Sequence, residues 1–210
     1  MEVKKFYDNC VTVYPLVDLF LKPQKKVLVE FINSLPKGNL LDVGIGTGSH
    51  IPQYRNHEIQ GIDVSDKSIQ VAKKRKKYTN VDLKVMNGEK LEFEDNLFDY
   101  VVLCHVIAVT ENPDRMIEES YRVLKEDGLL FILNHETPDN GMKYLDKFFN
   151  RFSHHFKLSS YFKIKDIKSL DRFEVVDERK VGAFDYFKLL TLKKEPEKQM
   201  QEVSHEKVAD

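Results

Sequence analysis

The stretch Leu40-Leu41-Asp42-Val43-Gly44-Ile45-Gly46-Thr47-Gly48-Ser49, followed by Gly61-Ile62-Asp63-Val64-Ser65, constrains this chain more than any other feature. Leu40, Leu41 and Val43 form a short apolar run of the kind that fills a buried strand. The glycines at alternate positions then let the backbone turn sharply and approach a ligand with no Cβ in the way. About twenty residues further on, residues 59–64 read as a second strand that places Asp63 at its carboxyl end. A carboxylate only accepts hydrogen bonds, which matches the two hydroxyl donors of a ribose. Turn, spacing and acid together describe a pocket for a nucleoside-bearing cofactor.

Two cofactor classes use such a pocket. A dinucleotide fingerprint, Gly-x-Gly-x-x-Gly, needs its third glycine at position 49, for close helix-strand packing beneath a pyrophosphate. That position holds Ser49. The chain reads Asp42-x-Gly44-x-Gly46-x-Gly48, which resembles the first motif of class I S-adenosylmethionine (SAM) dependent methyltransferases, whose cofactor has no phosphate. The resemblance implies that Asp42 lies near the methionine end of SAM and that Asp63 holds the ribose, with Val64 beside it. It also places Asn87, which follows a third strand, where the family commonly carries an acid that contacts the adenine amino group. The Asn87 amide oxygen can accept the same bond without the charge, and the Gly88 amide can reach the adenine ring. Asn87-Gly88 reads equally well as a simple turn.

A length of 210 residues suits one domain with a sizeable core. Lys and Arg number 33 against 34 Asp and Glu, so no global basic field points to nucleic acid. The two cysteines, Cys10 and Cys104, are far apart without metal-ligand spacing, so neither a metal site nor a disulfide framework is expected. That usage suggests a reducing cytoplasm. No apolar run reaches the roughly 18 residues a spanning helix needs, and no signal-peptide pattern opens the chain. The expectation is a soluble or peripheral protein.

Residues 66–77 read as a helix capped by Ser65, with Ile69, Val71 and Ala72 inward and a lysine-rich outer face. Residues 81–86 alternate as a third strand, and residues 98–103 have the continuous apolar character of a central parallel strand. Asn112-Pro113 opens a helix carrying Met116, Ile117, Tyr121 and Leu124, and residues 129–133 form a fifth strand. This alternation predicts an α/β, Rossmann-like, doubly wound sheet that binds ligands outside the carboxyl ends of its strands. Residues 140–170 suggest an aromatic and basic helical cap. Residues 173–179 and 184–192 read as two closing strands, the last antiparallel, which complete the seven-stranded sheet of the family resembled. Residues 1–36 are assigned to an N-terminal helical lid, 37–192 to the SAM-binding domain, and 193–210 to a polar, disordered tail.

Cys104 and His105 end the fourth strand beside the cleft where the cofactor's methyl group and its acceptor meet, and both belong to the expected cofactor set. His105 can take a proton or position the acceptor, or can simply bond the cofactor or cap the next turn. His135, in Asn134-His135-Glu136, follows the fifth strand on the same side and is the catalytic candidate there. Near the start, Val3, Phe6, Tyr7, Cys10, Val11, Tyr14 and Val17 form an apolar stripe, with Lys4, Lys5, Lys22, Lys25 and Lys26 around it. Pro15 is expected to kink or split this helix. The stripe serves as a lid on the cofactor domain, as a contact with an anionic membrane, or as both.

Phe6-Tyr7-Asp8, Val13-Tyr14-Pro15-Leu16-Val17, Leu41 to Gly48, Cys104 to Val109, Asn112-Pro113-Asp114-Arg115 and Asn134-His135 resemble bacterial phospholipid N-methyltransferases. Those enzymes convert phosphatidylethanolamine towards phosphatidylcholine. The resemblance implies a lipid acceptor at the inner membrane face. A neutral amine must meet the methyl carbon in line with the departing sulfur, so an ammonium first loses a proton to a histidine such as His135, a carboxylate or water. Tyr7 and Tyr14 are candidates to hold the methylated cation by cation-π attraction. A quinone-precursor or other small-molecule methyltransferase shares the same core. A noncatalytic SAM-binding partner subunit is the alternative of another class.

Overall fold

The structure, a computed structural model, describes residues 14–75, 80–135, 166–182 and 187–196, with side chains from residue 21 onward in the first of these spans. The first helix, α1, runs Tyr14–Asn33. It is followed by β1 (Asn39–Val43), β2 (Glu58–Asp63), α2 (Asp66–Arg75), β3 (Val81–Val85), β4 (Phe98–Cys104), α3 (Pro113–Val123), β5 (Leu124–His135), β6 (Phe173–Val181) and β7 (Phe187–Lys194). Short 3-10 turns at Ile51–Gln53 and Lys168–Arg172 complete the set.

The strands form a seven-stranded sheet in the order β3-β2-β1-β4-β5-β7-β6. All neighbouring pairs from β3 to β5 are parallel, and β7 runs antiparallel to both β5 and β6. This is the doubly wound sheet expected from the sequence. Strand order reverses between β1 and β4, so a crevice opens at their carboxyl ends.

Residues along β1 alternate between two cores. Leu40 joins Leu28, Val29 and Ile32 of α1 and Ile69 and Ala72 of α2 on one face. Leu41 and Val43 join Met116, Ile117 and Tyr121 of α3 on the other. Both inner helices start as expected. The Ser65 hydroxyl accepts from Ser68 N at 3.1 Å, and Asn112 Oδ1 accepts from Arg115 N at 3.0 Å ahead of Pro113.

Two local expectations change, and a third, the kink or split at Pro15, involves residues before Tyr14 that lie outside the described residues. Pro23 is the proline inside α1. Lys25, expected on the rim of the apolar stripe, is buried. Lys193 and Lys194, expected in the tail, lie within β7. Lys194 is buried because its ammonium donates to Leu124 O at 2.6 Å, a carbonyl at the end of α3, and to Asn96 Oδ1 at 2.8 Å. The ammonium also stands over the Tyr121 ring, 4.6 Å from its centroid.

The carboxyl half of α1 is therefore core. The Phe31 ring meets Phe131 edge-on at 5.8 Å, and His57 Nε2 bonds Ile32 O at 2.9 Å. Ile32→Ala is expected to lower unfolding free energy by about 2–5 kcal/mol in denaturant titration. A loss below about 0.5 kcal/mol would mean that α1 is a detachable lid along its whole length.

Candidate functional site at the carboxyl ends of β1, β2, β4 and β5

Gly44 N and Ile45 N both donate to Ile62 O, at 2.9 and 3.0 Å, which draws the chain after β1 over the end of β2. Gly44 and Gly48 have φ of 72° and 67°, a region L side chains rarely adopt. Their missing Cβ atoms do not face a ligand as the sequence suggested. A Cβ on Gly44 would stand 2.6 Å from Val106 Cγ2, and one on Gly48 would stand 2.4 Å from Ile51 Cδ1. The space is taken by the protein's own packing, and this packing brings the loops after β1 and β4 together.

Asp63 ends β2 half-buried, as expected, with Val64 next to it. Its Oδ2 accepts from Gly46 N at 2.9 Å and its Oδ1 from Ser65 N at 2.8 Å. The two amides orient the carboxylate, whose acceptor capacity of about four bonds exceeds what they use.

Asp42 is fully buried between Gly61 and Val102 of the flanking strands. Its Oδ2 receives both His50 Nε2, at 2.6 Å, and the Tyr54 hydroxyl, at 2.9 Å. Its Oδ1 has no hydrogen-bond partner among the described residues. Burial, together with the Asp42 charge and hydrogen bond, pushes the Tyr54 phenol well above its ordinary value, so Tyr54 stays a donor. Sequence reasoning missed His50 and Tyr54. The available signal was a polar ring on either side of Ile51-Pro52-Gln53, directly after the glycines.

Asn87 is exposed, and its Oδ1 accepts from Glu89 N at 2.9 Å while its carbonyl accepts from Lys90 N at 3.0 Å. The simple turn is thus present. Gly88 is seated on the core, where a Cβ would lie 2.5 Å from Val43 Cγ1. Glu89, also missed, binds the Thr110 hydroxyl and the amides of Glu111 and Asn112, tying the loop after β3 to the start of α3.

Cys104 is a buried thiol at the end of β4. His105 follows with φ of 56°, donates its amide to Leu133 O at 2.8 Å, and sets its ring edge-on to Phe187 at 5.4 Å. His135 ends β5 and pairs in register with the same Phe187. The fold therefore gathers both histidines around the start of β7. Buried Asn134 donates Nδ2 to His135 O at 3.0 Å, and its Oδ1 has no partner among the described residues. Tyr7 and the Tyr14 side chain lie outside the described residues. No group of metal-ligating side chains occurs among the described residues.

A buried carboxylate oxygen without a donor costs on the order of 1–3 kcal/mol or more. An ammonium, such as the one on the methionine portion of SAM, would supply that donor to Asp42 Oδ1. Residues 41–132 match a family model described as a methyltransferase domain. A phosphatidylethanolamine N-methyltransferase of Cereibacter sphaeroides is 30% identical over 159 residues, covering 73% of this chain and 78% of that protein. A demethylmenaquinone methyltransferase of Bacteroides fragilis is 27% identical over 152 residues, covering 66% of this chain and 62% of that protein. The fold matches a solved SAM-dependent methyltransferase of Thermotoga maritima, described as a possible histamine N-methyltransferase. That match has a TM-score of 0.71 and 20% identity, and it covers 91% of this chain and 99% of the other. This chain belongs to the class I SAM-dependent methyltransferases, and SAM is its methyl donor.

Gly44→Ala is expected to destabilise the protein by about 1–3 kcal/mol in denaturant unfolding, through φ strain and the collision with Val106. Adding Val106→Ala should restore part of the loss relative to Gly44→Ala. Unchanged stability of the single variant would contradict the packing of these two loops.

Proposed function

We propose that this methyltransferase acts on the amine of phosphatidylethanolamine or its methylated derivatives at an anionic membrane surface. One observation carries the reading: the 30% identity to a phosphatidylethanolamine N-methyltransferase extends over 78% of that protein's length. The sequence segments Phe6-Tyr7-Asp8 and Val13 to Val17 support it, as do exposed Lys22, Lys26 and Val27 on α1. No helix among the described residues is long and apolar enough to cross a membrane. The membrane role proposed is a peripheral one on the cytoplasmic face.

In this reading Asp63 holds the ribose, with Val64 beside it, and Asp42 meets the methionine end. Gly44, Gly46 and Gly48 carry the backbone along the cofactor. Asn87 and Gly88 border the adenine, and Cys104 and His105 border the reacting centre. SAM, when bound, supplies a methyl group already made electrophilic by its sulfonium. The protein's own task is alignment and proton removal. His135 takes the ammonium proton or holds the amine that has lost it, and its place beside Phe187 keeps that step at the crevice. Tyr7 and Tyr14 hold the growing cation, each face worth about 0.5–2 kcal/mol.

A second reading rests on the demethylmenaquinone methyltransferase relative: a quinone precursor as acceptor on the same core. Labelled SAM presented with phosphatidylethanolamine in mixed anionic liposomes is expected to give mono-, di- or trimethylated lipid. Unlabelled lipid with cofactor binding intact would reject the phospholipid reading and favour the quinone one. Asp63→Ala is expected to weaken SAM binding at least about tenfold in calorimetry, since bonds to a charged acceptor are worth about 1.5–3 kcal/mol each. Near-normal affinity would reject the ribose assignment. Removing residues 1–21 should reduce sedimentation with anionic liposomes while denaturant unfolding stays cooperative, because Leu28, Val29 and Ile32 of α1 lie beyond the cut. Equal sedimentation would reject the membrane-contact role.

A further inference from the structure

Asp42 does not share its hydrogen bonds between its two oxygens. His50 Nε2 and the Tyr54 hydroxyl both end on Oδ2, at 2.6 and 2.9 Å, and leave Oδ1 buried with no partner among the described residues. Both donors are themselves buried, at 3% and 4% exposure, so water cannot replace them. A carboxylate held through one oxygen by two fixed donors cannot rotate, and its second oxygen points one way.

The donors are fixed in turn. His50 and Tyr54 stand on either side of the Ile51–Gln53 turn, which Pro52 stiffens, and their rings meet edge-on at 5.6 Å. Asn33, the last residue of α1, clamps this turn by donating Nδ2 to Gln53 O at 2.8 Å and accepting from Arg55 N at 3.0 Å.

Nδ1 of His50 is buried with no partner among the described residues, so Nε2 is the ring atom through which His50 acts on Asp42.

We infer that His50 and Tyr54 are positioning residues for the amino-acid end of the cofactor: by occupying Oδ2 of Asp42 they aim Oδ1 at its ammonium. The inference rests on the proposed placement of Asp42 at the methionine end. It assigns the two rings a role in cofactor selectivity, because a ligand with adenosine but no amino-acid portion gains nothing from an oriented Asp42.

The test uses the full chain and two ligands, S-adenosylhomocysteine, which carries the amino-acid end, and 5′-methylthioadenosine, which lacks it. Tyr54→Phe keeps the ring and removes one O–H. Calorimetry is expected to show S-adenosylhomocysteine binding weakened about three- to tenfold, with 5′-methylthioadenosine within about twofold of wild type. His50→Leu should show the same selective loss, and His50→Gln, which retains an N–H donor, should recover part of it. Equal weakening of both ligands would overturn the inference and reduce the cluster to a structural role, as would unchanged binding of S-adenosylhomocysteine. Asp42→Asn separates the two levels: if it leaves the ratio of the two affinities unchanged, the placement of Asp42 itself fails. A changed ratio in Asp42→Asn with an unchanged one in both ring variants rejects only the positioning role.

Discussion

The hydrogen bonds from Gly44 N and Ile45 N to Ile62 O hold the site together. Ile62 pairs in register with Val43, and its carbonyl accepts from both of the next two amides, which bends the chain after β1 across β2. The bend places Gly46 N within 2.9 Å of Asp63, so the same turn that ends β1 also orients the acid that ends β2. It also leaves the positive φ at Gly44 against Val106, which locks the turn to the loop after β4. Three strand ends are thereby registered to one another by one short run of backbone.

Electrostatics at the crevice follow from burial. Asp42 is withdrawn into the layer beneath the turn and is compensated from one side only. Asp63 is half-buried and accepts from two backbone amides. Two carboxylates thus stand near the ends of adjacent strands. At the other end, the His105 ring meets Phe187 edge-on and His135 pairs with Phe187 in strand register, so both histidines come to the start of β7.

The first helix joins these features to the surface. Its carboxyl half is core, through Leu28, Val29 and Ile32, and its last residue, Asn33, braces the turn that carries His50 and Tyr54. Lys22, Lys26 and Val27 are exposed on the same helix. A contact made by that exposed face is one rigid element away from the Asp42 cluster.

Features carried by short spacing were legible in the amino-acid order. The glycines with Asp42 and Asp63, the caps at Ser65 and Asn112, and the alternation of strands and helices each depend on residues a few positions apart, and local backbone physics is enough to read them. The interactions that finish the site join distant segments: Val106 filling the space above Gly44, Glu89 binding the amides of Glu111 and Asn112, and Phe187 meeting the His105 ring. Spacing also failed where burial decided the outcome. Lys25 and Lys194 read as surface lysines, and His50 and Tyr54 did not stand out, because the strength of a polar contact is set by what excludes water from it. The sequence by itself determined the sheet, its crevice and the cofactor class, since those follow from periodicity and turn chemistry. Only the tertiary structure decided which oxygen of Asp42 is left to a ligand, because that depends on where two buried rings come to rest.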